Sequence, residues 1–475
     1  MKFIVNNLAQ QCSRRLADRA QRRLLPTGFR QHIAVLALIA LITLVGCATP
    51  EAPSHRTAEH IQSAANLANA IQFHTNALPA EAAPAPDQLS LSVALERALQ
   101  QSPDLQLALS RVRTTQADAH QSLLWPNPVL DIVLRAPEGG GRTVIETGLA
   151  AELTQLLQRP RRISAADARL RAASAAAVTT ALEILHHTQQ TYFNAIVARQ
   201  ESLLLAQRAA RLNALLMITE ARLEAGEGTQ LDVITLKAEL THANLDLREA
   251  DRRRKTALFQ LAHLLGQPRG RTDWQLATPL YTQVALRGEQ DAIAHGLRVR
   301  PEIQTDRWQL AALEDAQALA RLAWLEGAAA GLNTERDSDW SLGPSLTLPL
   351  PLFDNGQARR ARARAQAIAA RQRLTQSTRQ VVSEIREAHH AVAELMTTTR
   401  QARTQLLPLH AQRVALARQV FEAGQEDVTR LRLAELDHLE AQLKTLRLQH
   451  QTARAVLRLD RATGGSTLEI ENESN

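Results

Sequence analysis

The chain has 475 residues, of which 3% are aromatic and 22% are charged, and it contains only two cysteines. This composition, rich in Ala, Leu, Arg, Gln and Glu, favours long helices over a compact mixed fold. The formal net charge is +7, but seven basic residues and one acid lie within residues 1–46, so the rest of the chain is nearly neutral. A nearly neutral body argues against a protein that binds nucleic acid.

The first segment has the layout of a bacterial secretion signal. Basic residues precede an apolar run at residues 33–45, which is too short to span a membrane comfortably. The run leads into Leu-Val-Gly-Cys at residues 44–47, which resembles a lipoprotein box. By that resemblance the signal peptide 1–46 is removed, Cys47 carries the lipid, and Ala48 after it directs the protein to the outer membrane. The other cysteine leaves with the signal peptide, so no disulfide is expected.

The body of the chain is a tandem duplication. The Glu-Ala-Gly triplets that end at Gly226 and Gly424 are separated by the same number of residues as Pro103 and Pro301. A fixed offset between landmarks is the signature of a repeat. The chain therefore divides into a tether (47–88), a first repeat (89–266), a linker (267–288), a second repeat (289–465) and a C-terminal tail (466–475).

Each repeat predicts a helical segment followed by two strands. The helical segments cover residues 92–124 and 290–325, and a proline breaks each of them. The strands show an alternating pattern at 130–134 and 145–153 in the first repeat, and at 328–334 and 342–350 in the second. One apolar face and one small or polar face are typical of a membrane barrel wall. A hairpin of a soluble sheet has the same pattern.

Very long helices follow the strands. Residues 161–224 contain neither glycine nor proline and predict a helix of roughly 96 Å, at about 1.5 Å per residue. Residues 357–422 repeat the pattern with one proline. No single globular core accommodates such a helix. A glycine turn and a further helix (229–265 and 428–462) complete each repeat, and the two shorter helices are expected to stack end to end beside the long one.

Five motifs accompany this order of elements: Trp-Pro-Asn-Pro (125–128), Leu-Glu-Ala-Gly-Glu-Gly-Thr-Gln-Leu-Asp-Val (223–233), Lys-Ala-Glu-Leu (237–240), Leu-Pro-Leu-Pro-Leu-Phe-Asp-Asn-Gly (348–356) and Phe-Glu-Ala-Gly (421–424). Together with the element order, which is present twice, they resemble the TolC family of outer-membrane efflux channels. The resemblance implies a mostly α-helical homotrimer, in which each protomer adds four strands to a twelve-stranded β-barrel in the outer membrane. The long helical hairpins would form an α-barrel tunnel across the periplasm. Open strand edges cannot stand in lipid, so four strands per chain require several chains to close a barrel.

The same resemblance places the two glycine turns at the periplasmic tip. There they are expected to dock a periplasmic adaptor (membrane fusion) protein, which links the channel to an inner-membrane pump of the resistance-nodulation-division type. A role limited to ending the helices is the alternative for these glycines. The residues assigned to docking are Leu223, Ala225, Gly226, Phe421, Ala423 and Gly424.

The tip is also the expected gate of the pore. Some family members carry acids six and nine residues after the second glycine, where this chain has Arg430 and Leu433. Asp232 keeps the first of these acids in the first repeat, and Glu426 and Asp427 lie close by in the second. We hypothesise that Asp232, Glu426, Asp427 and Arg430 form a charged constriction that ion pairs hold closed.

No catalytic constellation, cofactor motif or metal site is predicted, so the protein is not expected to be an enzyme. The adjacent pairs His186-His187 and His389-His390 point about 100° apart on a helix, so neither pair forms an i, i+4 metal clamp. The predicted function is a passive exit duct, in contact with outer-membrane lipids, for metal cations or small toxic molecules. The 348–356 motif resembles members that serve resistance-nodulation-division pumps, in particular the heavy-metal branch.

Three other functions stay open at this point. One is the outer-membrane channel of a type I protein secretion system, which the sequence does not separate from an efflux channel. The others are a periplasmic adaptor and a coiled-coil lipoprotein without a pore. The duplication, and strand segments at matched places in both repeats, argue against these last two.

Overall fold

The computed structural model describes residues 73–74, 76–136, 143–277, 286–336 and 339–464, all within one compact unit, Ser54–Asn475. The predicted signal peptide, Cys47 and the C-terminal tail lie outside these residues. The elements up to the linker are β1 (Gln88–Leu89), α1 (Leu91–Gln100), α2 (Pro103–Leu123), β2 (Val129–Arg135), β3 (Val144–Glu152), α3 (Leu153–Glu224) and α4 (Gln230–Leu264). The later elements are β4 (Gln275–Leu276), α5 (Glu289–Val299), α6 (Pro301–Ala320), β5 (Ala329–Arg336), β6 (Trp340–Thr347), α7 (Gln357–Gln401), α8 (Leu407–Glu422) and α9 (Val428–Thr463). The predicted mostly helical fold with four strands in two hairpins is confirmed.

The two largest differences from the predicted helices both involve prolines. Helix α3 begins at Leu153 rather than at 161 and runs for 72 residues through Pro160. A proline this close to the start removes one backbone hydrogen bond, and packing along the rest of the helix outweighs that loss. In the second repeat a π-helical turn, Ala402–Leu406, separates α7 from α8 immediately before Pro408. Such a turn accommodates the missing donor without ending the rod.

The helices lie side by side as rods. Helices α2 and α4 both pack along α3, and α6 and α9 both pack between α3 and the α7–α8 rod. The predicted end-to-end stacking of two shorter helices beside one long helix is therefore confirmed. The helices pack in a row. Helices α2 and α4 lie on one side of α3, helices α6 and α9 lie on its other side, and the α7–α8 rod lies beyond them. We call the contact of α3 with α9 the inter-repeat seam.

The four longer strands form one antiparallel sheet in the order β2-β3-β5-β6. Its register puts Leu130, Leu149 and Leu332 in one row, so their side chains share a face. That face is apolar and exposed, whereas the opposite face carries small or polar residues such as Asp131, Gly148 and Asn333. Within the described part of the chain, no further strand pairs with the outer edges of β2 and β6.

A small hydrophobic core around Tyr192 packs the segment that precedes α1 against α3. Strand β1 pairs in parallel with β4, and the buried Tyr192 hydroxyl lies 2.7 Å from the Leu89 carbonyl oxygen and 2.8 Å from that of Ala277. Ala82 and Ala85, at the end of the predicted tether, are also buried. None of the described helices combines the length and hydropathy that a membrane crossing requires.

The buried carboxylate of Glu201 connects α3 to α4 and α9. The Glu201 side chain of α3 is 8% exposed and lies 2.6 Å from the Arg447 guanidinium of α9 and 3.4 Å from that of Arg253 in α4. A carboxylate at such a site needs its partners, because an uncompensated buried charge is costly.

Replacing Arg447 with Met should lower the free energy of unfolding by about 2 kcal/mol, because Glu201 loses a charge-assisted hydrogen bond and keeps only the more distant Arg253. The matched control is Arg413→Met, which breaks the exposed pair with Asp437 (2.6 Å) and should cost less than about 1 kcal/mol. Urea unfolding of the detergent-solubilised protein at one concentration measures both. Equal losses would show that burial of Glu201 does not set the stability of the seam.

Candidate functional site at the helical tips

The first tip turn ends α3 with a Schellman motif. The amide of Gly226 donates to the Leu223 carbonyl (3.0 Å) and that of Glu227 donates to the Arg222 carbonyl (2.9 Å). Gly226 has a φ of +85° and an added Cβ would meet no atom within 4 Å. The left-handed backbone, and not crowding, therefore requires glycine here.

The second tip turn has the same construction. The amides of Gly424 and Gln425 donate to the carbonyls of Phe421 (2.9 Å) and Val420 (3.1 Å), and Gly424 has a φ of +69°. The predicted docking residues surround both turns, and all of them are exposed except the half-buried Leu223. The turns thus bring together two small, partly apolar surfaces at the ends of the hairpins.

The return helices begin differently in the two repeats. Helix α4 starts with a capping box, in which the Thr229 hydroxyl accepts from the Asp232 amide (3.2 Å) and the Asp232 carboxylate accepts from the Thr229 amide (3.3 Å). In the second repeat Asp427 is itself the N-cap of α9. Arg430 stands where the capping box would need its acid, and it pairs instead with Glu426.

An ion pair joins the two tips. The Arg222 guanidinium at the end of α3 contacts the Asp427 carboxylate at the start of α9 and donates to the Thr429 hydroxyl (3.3 Å). Burial raises the pKa of the Asp427 carboxyl, but hydrogen bonds from Thr429 and the charge of Arg222 outweigh it and leave the pKa below its usual value. Asp427 is therefore ionised at neutral pH and available to hold Arg222.

The four predicted aperture residues are thus divided among three contacts. Asp427 binds Arg222, Glu426 binds Arg430, and Asp232 caps its own helix. Among the described residues no hydrogen bond or ion pair joins Asp232 to the other three. All four lie at the tip, but the cross-repeat link depends on Arg222, which was not among the predicted aperture residues.

A second carboxylate near the tip was also missed. Glu435 of α9 is 11% exposed and lies 2.8 Å from Arg432, 3.4 Å from Arg211 of α3 and 3.8 Å from Arg418 of α8. It joins three rods just above the turns. No sequence signal marks it, because two of its partners come from helices that only the fold brings together.

Further up the seam, a cleft of about 810 Å³ lies between α3, α9 and α7. On α3 it is lined by Glu183, which pairs with Arg461 of α9 at 3.2 Å, and by His186. Burial, together with the charges of Arg461 and Arg458 and the neighbouring His187, lowers the pKa of His186 to about 4. The imidazole is therefore neutral at physiological pH.

Two long hairpins with matching glycine turns, topped by a four-stranded sheet with one exposed apolar face, define the protomer of a membrane channel. Residues 94–267 and 296–465 match the family model described as outer membrane efflux protein. The chain therefore belongs to the outer membrane efflux protein family. The predicted location, the bacterial outer membrane with an extension into the periplasm, is confirmed, and so is the efflux-channel class.

Individual relatives agree with this assignment. The pyoverdine export outer membrane protein OpmQ of Pseudomonas putida is 26% identical over 478 residues, which cover 92% of this chain and 97% of that protein. The outer-membrane channel OprN has a similar fold, with a TM-score of 0.65 at 21% identity over 79% of this chain and 90% of that one. The outer membrane protein VceC of Vibrio cholerae also reaches a TM-score of 0.65, at 19% identity over 80% of this chain and 97% of that one.

The histidine at the seam predicts a pH dependence of stability. The pKa of His186 falls from 6.5 in the unfolded chain to about 4 in the folded protein. Above pH 6.5 the imidazole is neutral in both states, so its contribution to the free energy of unfolding is fully present. As the pH falls from 6.5 towards 4, the unfolded chain takes up the proton first and this contribution is lost. Thermal unfolding of the wild type should therefore occur at lower temperature over this window. His186→Gln should flatten part of that decline, and an identical decline in the variant would contradict the assignment.

Proposed function

We propose that this protein is the passive exit duct of a tripartite efflux system, and that it works as a homotrimer. An inner-membrane pump and a periplasmic adaptor would supply small toxic molecules or metal cations, and the duct would release them outside the cell. The proposal rests mainly on the four-stranded sheet, whose apolar face is exposed and whose two outer edges pair with no other described strand.

The sheet supports a barrel that several chains share. Backbone groups at an unpaired edge are costly in lipid, and a closed barrel removes them. Edge β6 of one copy is complementary to edge β2 of the next, because continued antiparallel alternation requires that pairing. Three copies with four strands each would give the twelve-stranded barrel, with the small and polar sheet face towards its water-filled interior.

The adaptor is proposed to dock at the tip turns. Ala225, Gly226, Ala423 and Gly424 are small and exposed, and Phe421 lies exposed beside them. Small residues allow close approach of another helical hairpin, and an exposed aromatic side chain supplies apolar contact area. In this proposal Cys47 anchors each protomer in the outer membrane by its lipid.

The ion pairs at the tip are proposed to keep the mouth closed. Arg222–Asp427 ties the first hairpin to the second, and Glu426–Arg430 stiffens the start of α9. Both pairs are exposed enough that each contributes little to stability, roughly 0–1 kcal/mol. Adaptor binding of ordinary strength is sufficient to break contacts of this size.

Deletion of the gene tests the function. The deletion strain should become sensitive to at least one class of toxic compound, and plasmid-borne wild-type protein should restore resistance. The panel pairs Zn, Co, Cd, Ni and Cu salts with dyes and antibiotics, so that the cargo class is read from the same experiment. Unchanged tolerance to every compound would contradict an efflux role.

The gate is tested by conductance of purified protein in planar bilayers. Arg222→Gln removes the link between the repeats and should raise conductance, and reversal of charge with Arg430→Glu should also change it. Lys237→Gln is the matched control, because it breaks a 2.8 Å pair with Glu220 inside one repeat. Equal conductance in the wild type and in both tip variants would refute the proposed gate.

A further inference from the structure

Two exposed apolar surfaces flank the sheet on opposite sides of the protomer. The first, here called the Trp125 patch, immediately precedes β2 and consists of Leu123, Leu124 and Trp125. The second, here called the Phe353 loop, follows β6 and consists of Leu348, Leu350, Leu352 and Phe353. Every one of these side chains is at least 48% exposed, and Trp125 and Phe353 reach 69% and 94%. Apolar surfaces of this kind mark contact sites.

Both surfaces lie at the same end of the sheet. The register places Val129, the first residue of β2, in one row with Ala150, Gly331 and Ser345, and β6 ends two residues after Ser345. Three strand spacings separate the two outer edges, about 14 Å at 4.8 Å each. The surfaces therefore lie at one level but on opposite edges, where a single protomer cannot bring them into contact.

Prolines prevent the two segments from extending the sheet. Pro126 and Pro128 precede β2, and Pro349 and Pro351 follow β6. None of them has an amide donor, so strand pairing cannot continue regularly through either segment. A contact between the two segments must therefore depend on packing of side chains.

Each surface is held in place by its own protomer. The Arg159 guanidinium stacks on the Trp125 ring at 4.5 Å and donates to the Leu123 carbonyl at 2.7 Å. In the Phe353 loop the Asp354 carboxylate accepts from the Gly356 amide (2.7 Å) and pairs with Arg359 (3.1 Å). An ordered loop that exposes almost all of a phenylalanine is arranged for a partner, since the ordering is complete before binding.

We propose that the Phe353 loop of one protomer packs on the Trp125 patch of the next protomer and forms an apolar belt where the sheet meets the rods. The inference rests on the proposed trimer and adds the residues that join its subunits below the strands. The partner is a second copy of this chain, because pairing of β6 with β2 brings the end of one strand to the start of the other. Repetition of this head-to-tail contact closes a ring.

Thiol cross-linking in membranes tests the belt. The full-length protein with Trp125→Cys and Phe353→Cys, treated with a short bifunctional thiol reagent, should give covalent dimers and trimers on a denaturing gel. Each single variant should remain monomeric, because one thiol then lies on only one side of the contact. The pair Leu124→Cys with Leu352→Cys provides a second test if the first double variant folds poorly.

The matched control combines Trp125→Cys with Leu342→Cys, since Leu342 is exposed on the same strand β6 but towards its far end. This pair should not cross-link. Native mass spectrometry of the same samples reports the oligomer independently. A trimer in which neither designed pair cross-links would overturn the belt alone, with membrane lipid as the remaining occupant of both surfaces. Protein that is monomeric by mass would overturn the proposed trimer together with the belt.

Discussion

The length of α3 is the constraint on which the rest of the structure depends. Seventy-two residues make a helix of about 108 Å, and no helix of its own repeat is long enough to cover it. Two shorter helices in succession, α2 and α4, cover one side, and α6 and α9 of the second repeat cover the other. The duplication therefore has a physical role, because the second repeat supplies the neighbours that the first lacks.

The polar contacts along the inter-repeat seam differ in burial from the middle to the tip. Halfway along, the Glu201 carboxylate is buried between cations of two rods, and Glu435 nearer the tip is almost as enclosed. At the turns, the side chains of Arg222 and Asp427 are each 38% exposed to water. Exposed pairs are weak, whereas separating a buried pair is expensive. The tip is therefore the part of the seam that can separate while the middle stays joined.

Much of the fold could be predicted from the sequence, because glycine and proline mark turns and alternating polarity marks strands. The prediction was wrong where packing overrode a local signal, at Pro160 inside α3. At the tips, both glycine turns could be located from sequence, since the left-handed conformation almost demands glycine. The Arg222–Asp427 pair could not, because its partners are far apart in the chain and meet only across the seam. The roles of the aperture and docking residues stay predictions.

The claim that the tip separates while the middle of the seam stays joined is tested most directly by pulsed electron paramagnetic resonance. One pair of spin labels on Glu227→Cys and Gln425→Cys spans the tip turns, and a second on Leu203→Cys and Lys444→Cys spans the middle of the seam. Introducing Arg222→Gln should lengthen or broaden the tip distance distribution and leave the middle distribution unchanged. Unchanged distances at the tip, or equal changes at both levels, would contradict the account.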